Sequence, residues 1–456
     1  MVSASTGQGV LTLITNNAAL GVAGIETLGV QFANTNHALI MQFDGTATSS
    51  GSMDLQTATS APSGGFAFAF SGVDKNYFPK SLGGVFTITG GTTVNGVVDE
   101  NDAGTVSTNS AFSGTLSAPD AFGRGTLTIT GSGSLINYYI VGAEVIRIID
   151  VDTNQSNVGS AFGQGAGSFT NASLGSSVFA TAGNPFSSQN GAVGQLSTNA
   201  GAAPATFAGV GEDNELGNAV ASALASAISG TYTIAASGYG SLTITNAGLG
   251  DVSALGIYMT DPALNLNDPN NATGGGGALV LDLDAALAGT TGVLIPQTDT
   301  TAASFAGNYA VGWQNFNEFS ACSLCEFDMV TQGSMTAGGA LSLTGDVSDP
   351  FFTLGLGGSG LYGASTFTGT PQADGVNPGR YSMLQSNGTP NPLGATINSV
   401  SVFFDVVMYQ ASGGQLFWLE YDVNSVLVGP LQQQGSLTGL PAAKKAVAKA
   451  QAKHKQ

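Results

Sequence analysis

The chain repeats itself, and this internal periodicity constrains the fold more than any other feature of its 456 residues. A Gly-x-Gly pair followed by an apolar run begins at Gly7, Gly123 and Gly238, at spacings of 116 and 115 residues, and a looser copy begins at Gly379. Self-similarity at a fixed spacing is the signature of repeated structural units. The sequence therefore predicts one module copied along the chain.

Two further signatures recur with the Gly-x-Gly pair. An Asp, a Gly and a Gln follow it at spacings of seven and five residues, as Asp44, Gly51 and Gln56; Asp152, Gly159 and Gln164; and Asp422, Gly429 and Gln434, while Asp284, Gly292 and Gln297 have a first gap one residue longer. Before the pair, residues 96–101 correspond to residues 209–214. One such Asp per copy is typical of a turn-forming residue, since a catalytic group is rarely needed four times.

These signatures divide the chain into units. We predict β-rich repeats at 65–166, 167–298 and 302–437, the second half of a repeat at 1–58, and a basic Ala/Lys tail at 438–456. Half a closed sheet would expose two edges, so we expect that sequence containing an export signal precedes Met1.

Apolar alternation within residues 65–166 predicts about eight short strands separated by turn-rich gaps. Gaps this short favour antiparallel neighbours, and a meander of this size can close on itself, which removes its edges. We therefore predict an all-β fold of tandem up-and-down barrels, with a two-sheet sandwich as the alternative. Residues 219–228 have helical spacing, but their counterpart alternates, so we predict a strand there too.

These motifs resemble a family of uncharacterised secreted bacterial proteins built from tandem β-rich units of about 110 residues. The resemblance covers most of residues 65–437 and rests on the Gly-x-Gly pair, the aromatic strand after it and the Asp-Gly-Gln signature. It implies export and an extracellular or cell-surface role. It supplies no catalytic residues.

Composition excludes several classes of protein. Charged residues make up only 9% of the chain and hydrophobic residues 42%, which argues against general disorder. The first 441 residues carry five bases against all 29 acids, a net charge of −24, so the main body would repel nucleic acids. The sequence contains no apolar run long enough for a transmembrane helix and no visible signal peptide.

The Lys-rich tail could dock on an acidic surface or stay solvated.

Acidic segments are the best candidates for a metal site. Calcium takes about six to eight oxygen ligands, and clustered carboxylates and amides could supply them. The candidates are Asp99, Glu100, Asn101 and Asp102 in one predicted loop, and Asp150, Asp152 and Asn154 in another. Residues 212–215 form a similar acidic loop. The alternative is Asx turns between strands, with no cofactor bound.

Other reactive motifs are weak. Cys322 and Cys325 form an isolated CxxC for which a local disulfide is the favoured interpretation, because a zinc site needs four ligands and only two histidines are present. We find no nucleophile elbow for a hydrolase. Two acids at glycosidase spacing cannot be located from sequence, and the aromatic residues Trp313, Trp418, Tyr138 and Tyr139 suit a core better than a sugar platform.

Tandem repetition without a repeated reactive group predicts a non-enzymatic extracellular or cell-surface protein, acting as a spacer, adhesin or assembly component. A surface polysaccharide or another envelope component is its expected partner, and the sequence does not indicate an oligomeric state. A small-ligand carrier is the second hypothesis, because an eight-stranded barrel can hold one molecule when its interior is not filled. A polysaccharide-active enzyme ranks third.

Overall fold

The structure is a computed structural model. It describes residues 2–183, 190–215, 225–246, 249–271, 274–319, 322–325, 328–336, 339–350, 356, 359–385, 391–421 and 426–440. For residues 315–319, 322–325 and 328 it describes the backbone alone.

The first 54 residues form a four-stranded antiparallel meander, here called the N-terminal sheet. Its strands are β1 (Gln8–Ile14), β2 (Ile25–Phe32), β3 (His37–Gln42) and β4 (Ser50–Asp54). Leu28, Val30 and Ala38 form a small apolar core on this sheet. Leu39 and Met41 pack instead against Val330, which belongs to the last sheet of the chain.

The next eight strands close into a barrel, here called the first barrel. They are β5 (Gly64–Asp74), β6 (Pro79–Thr89), β7 (Thr93–Asp102), β8 (Thr105–Leu116), β9 (Arg124–Ile129), β10 (Leu135–Gly142), β11 (Val145–Asp150) and β12 (Gln155–Gly163). Each strand pairs antiparallel with its neighbour in sequence, and β12 returns to β5. An all-β fold with closed up-and-down barrels is thus confirmed, and the sandwich alternative is wrong for this unit.

A second closed barrel follows. Its strands are β13 (Ser177–Gly183), β14 (Asn190–Asn199), β15 (Thr206–Glu215), β16 (Ser226–Ile234), β17 (Tyr239–Ile244), β18 (Ala254–Met259), β19 (Ala278–Asp282) and β20 (Thr291–Pro296). Of the strand predicted at 219–228, residues 219–224 lie outside the described residues, and Ser226 to Ile228 begin β16.

The last unit departs from the pattern, because it forms a curled sheet of twelve strands rather than a closed eight-stranded barrel. Its strands are β21 (Gly307–Phe319), β22 (Cys322–Cys325), β23 (Asp328–Met335), β24 (Leu341–Ser348), β25 (Leu361–Gly369), β26 (Gln372–Ala373), β27 (Arg380–Met383), β28 (Leu393–Ile397), β29 (Val400–Phe404), β30 (Val406–Ser412), β31 (Gln415–Glu420) and β32 (Val426–Gln433). β32 pairs with β21, as the last strand of each barrel pairs with the first. The hairpin of β28 and β29 pairs with β25, so β25 is not bonded to β27. This unit is here called the C-terminal sheet.

Helical structure in the described ranges consists of three short 3-10 turns, Asn171–Ser173, Ala285–Leu287 and Ala302–Ser304. Over the same residues, no helix has the length and apolar character needed to cross a membrane.

The recurrent glutamines join consecutive units. The Nε2 group of Gln56 donates to the carbonyls of Phe122 (2.9 Å) and Ile140 (2.6 Å) in the first barrel. Gln164, at the end of that barrel, likewise donates to the carbonyls of Ser237 (2.9 Å) and Met259 (3.0 Å) in the second. In each case one bond reaches the turn before the next Gly-x-Gly pair and the other reaches the neighbouring strand, so the repeated Gln is an inter-unit clamp.

The other two glutamines complete the series. Gln297 donates to the carbonyl of Gln410 in the C-terminal sheet, at 2.9 Å. Gln434, near the end of the described chain, returns to the N-terminal sheet and donates to the carbonyls of Thr6 (2.9 Å) and Phe32 (2.7 Å). The four units therefore follow one another in a closed ring.

The first Gly of each pair has the left-handed backbone that the clamp requires. Its φ is +73° at Gly7, +76° at Gly123, +81° at Gly238 and +90° at Gly379. A Cβ atom would lie 2.7 Å from the Gln56 amide nitrogen at Gly123 and 2.4 Å from that of Gln164 at Gly238. Glycine is therefore needed both for the backbone and for the close approach.

Buried carboxylates make a second repeated joint. Asp99 on β7 accepts from the hydroxyls of Tyr239 and Tyr258 in the second barrel, both at 2.8 Å. Glu212 on β15 accepts from Arg380 Nε at 2.7 Å and from the Tyr409 hydroxyl. Tyr239 and Arg380 are the middle residues of Gly238-Tyr-Gly240 and of Gly379-Arg-Tyr381.

The joint around Asp346 repeats this arrangement at the ring's closing contact. Asp346 on β24 accepts a hydrogen bond from Gln8, the middle residue of Gly7-Gln-Gly9. Burial raises the pKa of Asp346, and the bond from Gln8 offsets only part of this increase. At the following contact, Asp54 accepts from both His37 and Arg147. Arg147 belongs to the first barrel, so the N-terminal sheet is bonded to units on both sides.

We predict that Gly238→Ala destabilises the protein by about 2 kcal/mol or more, because the new Cβ combines left-handed strain with displacement of the Gln164 clamp. Thermal and urea unfolding measure the loss. Gly131→Ala is the matched control, because its φ is +92° and a Cβ atom added there would have no other atom within 4 Å. Equal losses in the two variants would show that the clamp contributes nothing.

Candidate functional site

The interior of the first barrel is hollow. It contains a cavity of about 300 Å³. Most of its wall is apolar, and the polar lining atoms come from a few residues at one end. The lining side chains are Phe68, Phe70, Lys80, Leu82, Phe86, Ile88, Val98, Glu100, Phe112, Leu116, Leu127, Ile129, Ser132, Ser134, Ile136, Tyr138, Ile146, Ile148 and Gln155.

The second barrel shows why the first is hollow. Among its described residues the interior contains a continuous cluster of buried apolar side chains, to which Leu249, Val252 and Leu287 contribute from the connections β17–β18 and β19–β20. In the first barrel the same two connections are residues 130–134, which contain Gly131 and Gly133, and residues 151–154, with the sequence Val-Asp-Thr-Asn. Small and polar connections supply no apolar side chains to close that end.

The described part of the C-terminal sheet contains the largest aromatic side chains of the core. Trp313 and Trp418 stack at its centre with their ring centroids 4.1 Å apart, and both are buried within one large apolar cluster. These two residues therefore form core, and their burial excludes them as an exposed sugar platform. Of the other two aromatics considered from sequence, Tyr138 lines the cavity of the first barrel and Tyr139 is on its outside, 41% exposed.

Aromatic rings make one wall of the cavity. Phe68 stacks on Phe70 with centroids 5.6 Å apart, contacts Phe86 at 5.7 Å and meets Phe112 edge-on at 6.1 Å. These phenylalanines lie on β5, β6 and β8, on the face of each strand that points into the barrel. The wall presents both ring faces and ring edges to whatever occupies the space.

The polar end of the cavity centres on Lys80. Its ammonium group donates to Glu100 and, at 3.0 Å, to Asp102. Burial lowers the pKa of Lys80, but its bonds to the two carboxylates outweigh this effect, and the net shift is upward. The Lys80 side chain is 11% exposed, whereas Glu100 and Asp102 keep 31% and 33% of theirs exposed. Lys80 is therefore held charged at the cavity end.

Three further polar groups lie at the same end. Gln155, which lines the cavity, donates to Asp150, whose pKa is raised chiefly by burial. Asn157 follows two residues later on β12 and is therefore on the same face as Gln155. It is 1% exposed, and within the described structure neither its Nδ2 nor its Oδ1 atom has a hydrogen-bond partner.

The predicted calcium ligands do not form one cluster. The segment expected to be an acidic loop, Asp99 to Asp102, is the end of strand β7, and residues 212–215 likewise end strand β15. Strand alternation sends Asp99 and Asn101 outward to the second barrel, where Asn101 donates to the Asp284 carbonyl at 2.8 Å. Glu100 and Asp102 point instead to Lys80.

The other candidate ligands lie in the turn after β11. Asp150 Oδ1 accepts from the backbone of Asp152, whose own carboxylate accepts from the backbone of Asn154 at 2.6 Å. These are Asx-turn bonds. Among the described residues no group of three His, Cys, Asp or Glu side chains is placed to hold a metal ion. Calcium binding at these positions stays a prediction.

Two other predictions concern parts of the chain with no described side chains. Cys322 and Cys325 begin and end β22, of which only the backbone is described, so their disulfide stays a prediction. Asp422 and the Lys-rich tail from residue 441 lie outside the described residues.

Sequence reasoning identified Glu100, Asp102 and Asp150 only as calcium candidates, and it missed Lys80 and Gln155. Lys80 is one base among ten and Gln155 belongs to no motif, since only register brings them together. The aromatic alternation from Phe66 to Phe70 is visible, but alternation cannot distinguish a filled barrel from a hollow one. One sequence signal does indicate the hollow interior. Residues 131–134 of the first barrel are Gly and Ser, whereas the equivalent connection of the second barrel contains the apolar residues Leu249 and Val252.

Comparisons with known proteins add little. No protein-family model matches the chain, and no curated protein matches it. Among solved structures it is similar to a single mutant of the vaccine antigen transferrin binding protein B from Haemophilus parasuis Hp5, at 10% identity and a TM-score of 0.23, over 90% of this chain and 86% of that one. A double mutant of that antigen aligns at 12% identity and a TM-score of 0.19, over 88% and 83% of the two chains. Similarity at this level carries no inference about function.

We predict that Asp99→Asn lowers the free energy of unfolding by about 1–3 kcal/mol, because the hydroxyls of Tyr239 and Tyr258 lose the carboxylate oxygens that accept from them. Burial and the Asp99 carboxylate raise the pKa of Tyr258, so these hydroxyls remain donors at neutral pH. Urea unfolding with calcium and with chelator measures the effect. Tyr139→Phe is the control, since that tyrosine lies on the outer surface. A loss seen only when calcium is present would indicate a cation site rather than a joint.

Proposed function

We propose that this chain is a non-enzymatic protein of the bacterial surface or extracellular space whose first barrel binds a small apolar molecule. The observation that carries the proposal is the cavity of about 300 Å³ inside that barrel. Ligand pockets are concave, mostly apolar and provided with a few polar groups that fix orientation, and their volumes begin at about 300 Å³. The first barrel has each of these properties.

The size and the apolar lining of the cavity allow an estimate of its affinity for a hydrocarbon ligand. Burial of one methylene group stabilises a complex by about 0.8 kcal/mol, so a ten-carbon chain gains on the order of 7 kcal/mol. That corresponds to dissociation constants in the micromolar range. The apolar wall residues Leu127, Ile129 and Ile148 are only partly buried in the empty barrel, so a ligand would cover surface that the fold leaves open.

The other units support this proposal because they are suited to a structural role, as a scaffold for the first barrel. Large buried apolar clusters occupy the described parts of the second barrel and the C-terminal sheet, and the clamps and carboxylate joints connect all four units. A net charge of −19 and the family resemblance favour an exported protein. Repetition without a repeated reactive group favours binding over catalysis.

A spacer or adhesin that contacts an envelope polysaccharide is the second candidate. The observation that favours it is the closed ring of clamped units, which would make a stiff body with a large acidic exterior. Retention of the protein on purified envelope polysaccharide, undiminished when the first barrel is filled by mutation, would support this candidate over the carrier.

We predict that N-phenyl-1-naphthylamine, a neutral apolar fluorophore, binds the full-length protein and that Leu127→Trp weakens the binding at least tenfold. Leu127 lines the cavity, so a larger side chain occupies the space that the fluorophore would take. Fluorescence titration measures the dissociation constant, and circular dichroism establishes that the variant is folded.

Val158→Trp is the matched control, because Val158 lies on the outside of the same barrel with 59% exposure. It should bind the fluorophore as the unaltered protein does. Equal weakening in both variants, or no binding by the unaltered protein, would contradict a ligand site in the first barrel.

A further inference from the structure

We propose that the ligand of the first barrel is an apolar amine, held with its ammonium group at the Lys80 end of the cavity and its hydrocarbon part against the aromatic wall. This inference rests on the proposed ligand-binding function and names the chemical class that the site selects. It follows from the charges, the strand register and the aromatic rings at that end.

Carboxylates outnumber cations at this end of the barrel. Glu100 and Lys80 line the cavity, and strand register places Asp102 and Asp150 on the same inward faces of β7 and β11. Lys80 bonds one oxygen each of Glu100 and Asp102, and among the described residues the other oxygen of each carboxylate has no hydrogen-bond donor. A cationic head group would therefore find acceptors already in place, with a local charge that favours it.

A ligand carboxylate meets the opposite situation. To bond Lys80 it would have to displace Glu100 or Asp102, leaving one of these carboxylates without its partner in a partly buried site. Breaking such a pair is costly, because the remaining charge keeps its desolvation without compensation. The two carboxylates therefore disfavour the binding of fatty acids. Without them, a lysine at the end of an apolar barrel would suit such ligands.

Strand register places the head-group site in the same layer as an aromatic ring. Lys80 pairs with Gly72 on β5 and with Asp102 on β7, which defines the outer layer of the interior. One layer deeper, Leu82 pairs with Phe70 on one side and Glu100 on the other. An ammonium group bonded to Glu100 would lie in the same layer as the Phe70 ring, where a cation–π interaction contributes about 0.5–2 kcal/mol.

An unsatisfied amide lies in the outer layer. Asn157 pairs with Gly72, so it shares the layer of Lys80 and Asp102. Gly72 has no side chain, and a Cβ atom there would lie 2.9 Å from Asn157 Oδ1. This buried carbonyl oxygen lacks a donor within the described structure, and a protonated amine has up to three N–H groups to offer.

Competition among three chain-matched probes tests the inference. Decylamine, decanol and decanoate are titrated at pH 7 against the full-length protein carrying N-phenyl-1-naphthylamine. We expect decylamine to displace the fluorophore at a concentration at least tenfold below that needed for decanoate, with decanol between them. Displacement by decanoate at an equal or lower concentration would overturn the amine assignment and leave the apolar site intact. Failure of all three probes to displace the bound fluorophore would also overturn the amine assignment, whereas failure of the fluorophore itself to bind would overturn the ligand-binding function.

Two variants with opposite expected effects show whether the acids set the selectivity. Glu100→Gln with Asp102→Asn should reduce the preference for decylamine over decanol at least fivefold, whereas Lys80→Gln should increase it. The remote pair Glu26→Gln with Asp120→Asn changes the net charge equally and should leave the preference unchanged. An equal change in the remote variant would assign the selectivity to the overall charge and contradict the local site. If one cavity variant fails to fold, the other still tests the assignment through its predicted sign.

Discussion

The inter-unit clamp is the interaction on which the rest of the architecture depends. In each copy a glutamine side chain reaches across a unit boundary and bonds backbone carbonyls beside a left-handed glycine, as Gln164 does at Ser237 and Met259. The Ser237 carbonyl lies in the turn before β17, and the Met259 carbonyl lies at the end of β18. The amide group satisfies them and fixes the orientation of the next unit at the same time.

The carboxylate joints add selectivity to this contact. Asp99 and Glu212 are almost completely buried between units, and each is compensated by groups from the next unit. A buried carboxylate without these partners would carry a large desolvation cost, so a misaligned pair of units is strongly disfavoured. The acids that looked like exposed loops in the sequence therefore determine how neighbouring barrels dock.

Much of the fold could be read from the residues themselves. All eight predicted strands of residues 65–166 are present, because alternation of apolar and polar residues reports directly on which face is buried. The Gly-x-Gly pairs and the recurrent Gln were visible as signals, but their role was not, since their partners lie about 70 to 430 positions away in sequence. The C-terminal sheet differed from a closed barrel because an added hairpin, Leu393–Ile397 with Val400–Phe404, pairs where the closing strand would be.

The sequence by itself determined the all-β class, the repetition and the direction of each strand's apolar face, because these depend on residue type and local spacing. Only the tertiary structure decided that Asp99 is a joint and Glu100 part of a cavity, although the two are adjacent in the chain. Their separation follows from alternation on a strand whose two faces meet different environments, one an adjoining barrel and the other a hollow interior. Which face is which depends on closure of the sheet and on docking between units, and both arise from contacts between residues distant in sequence.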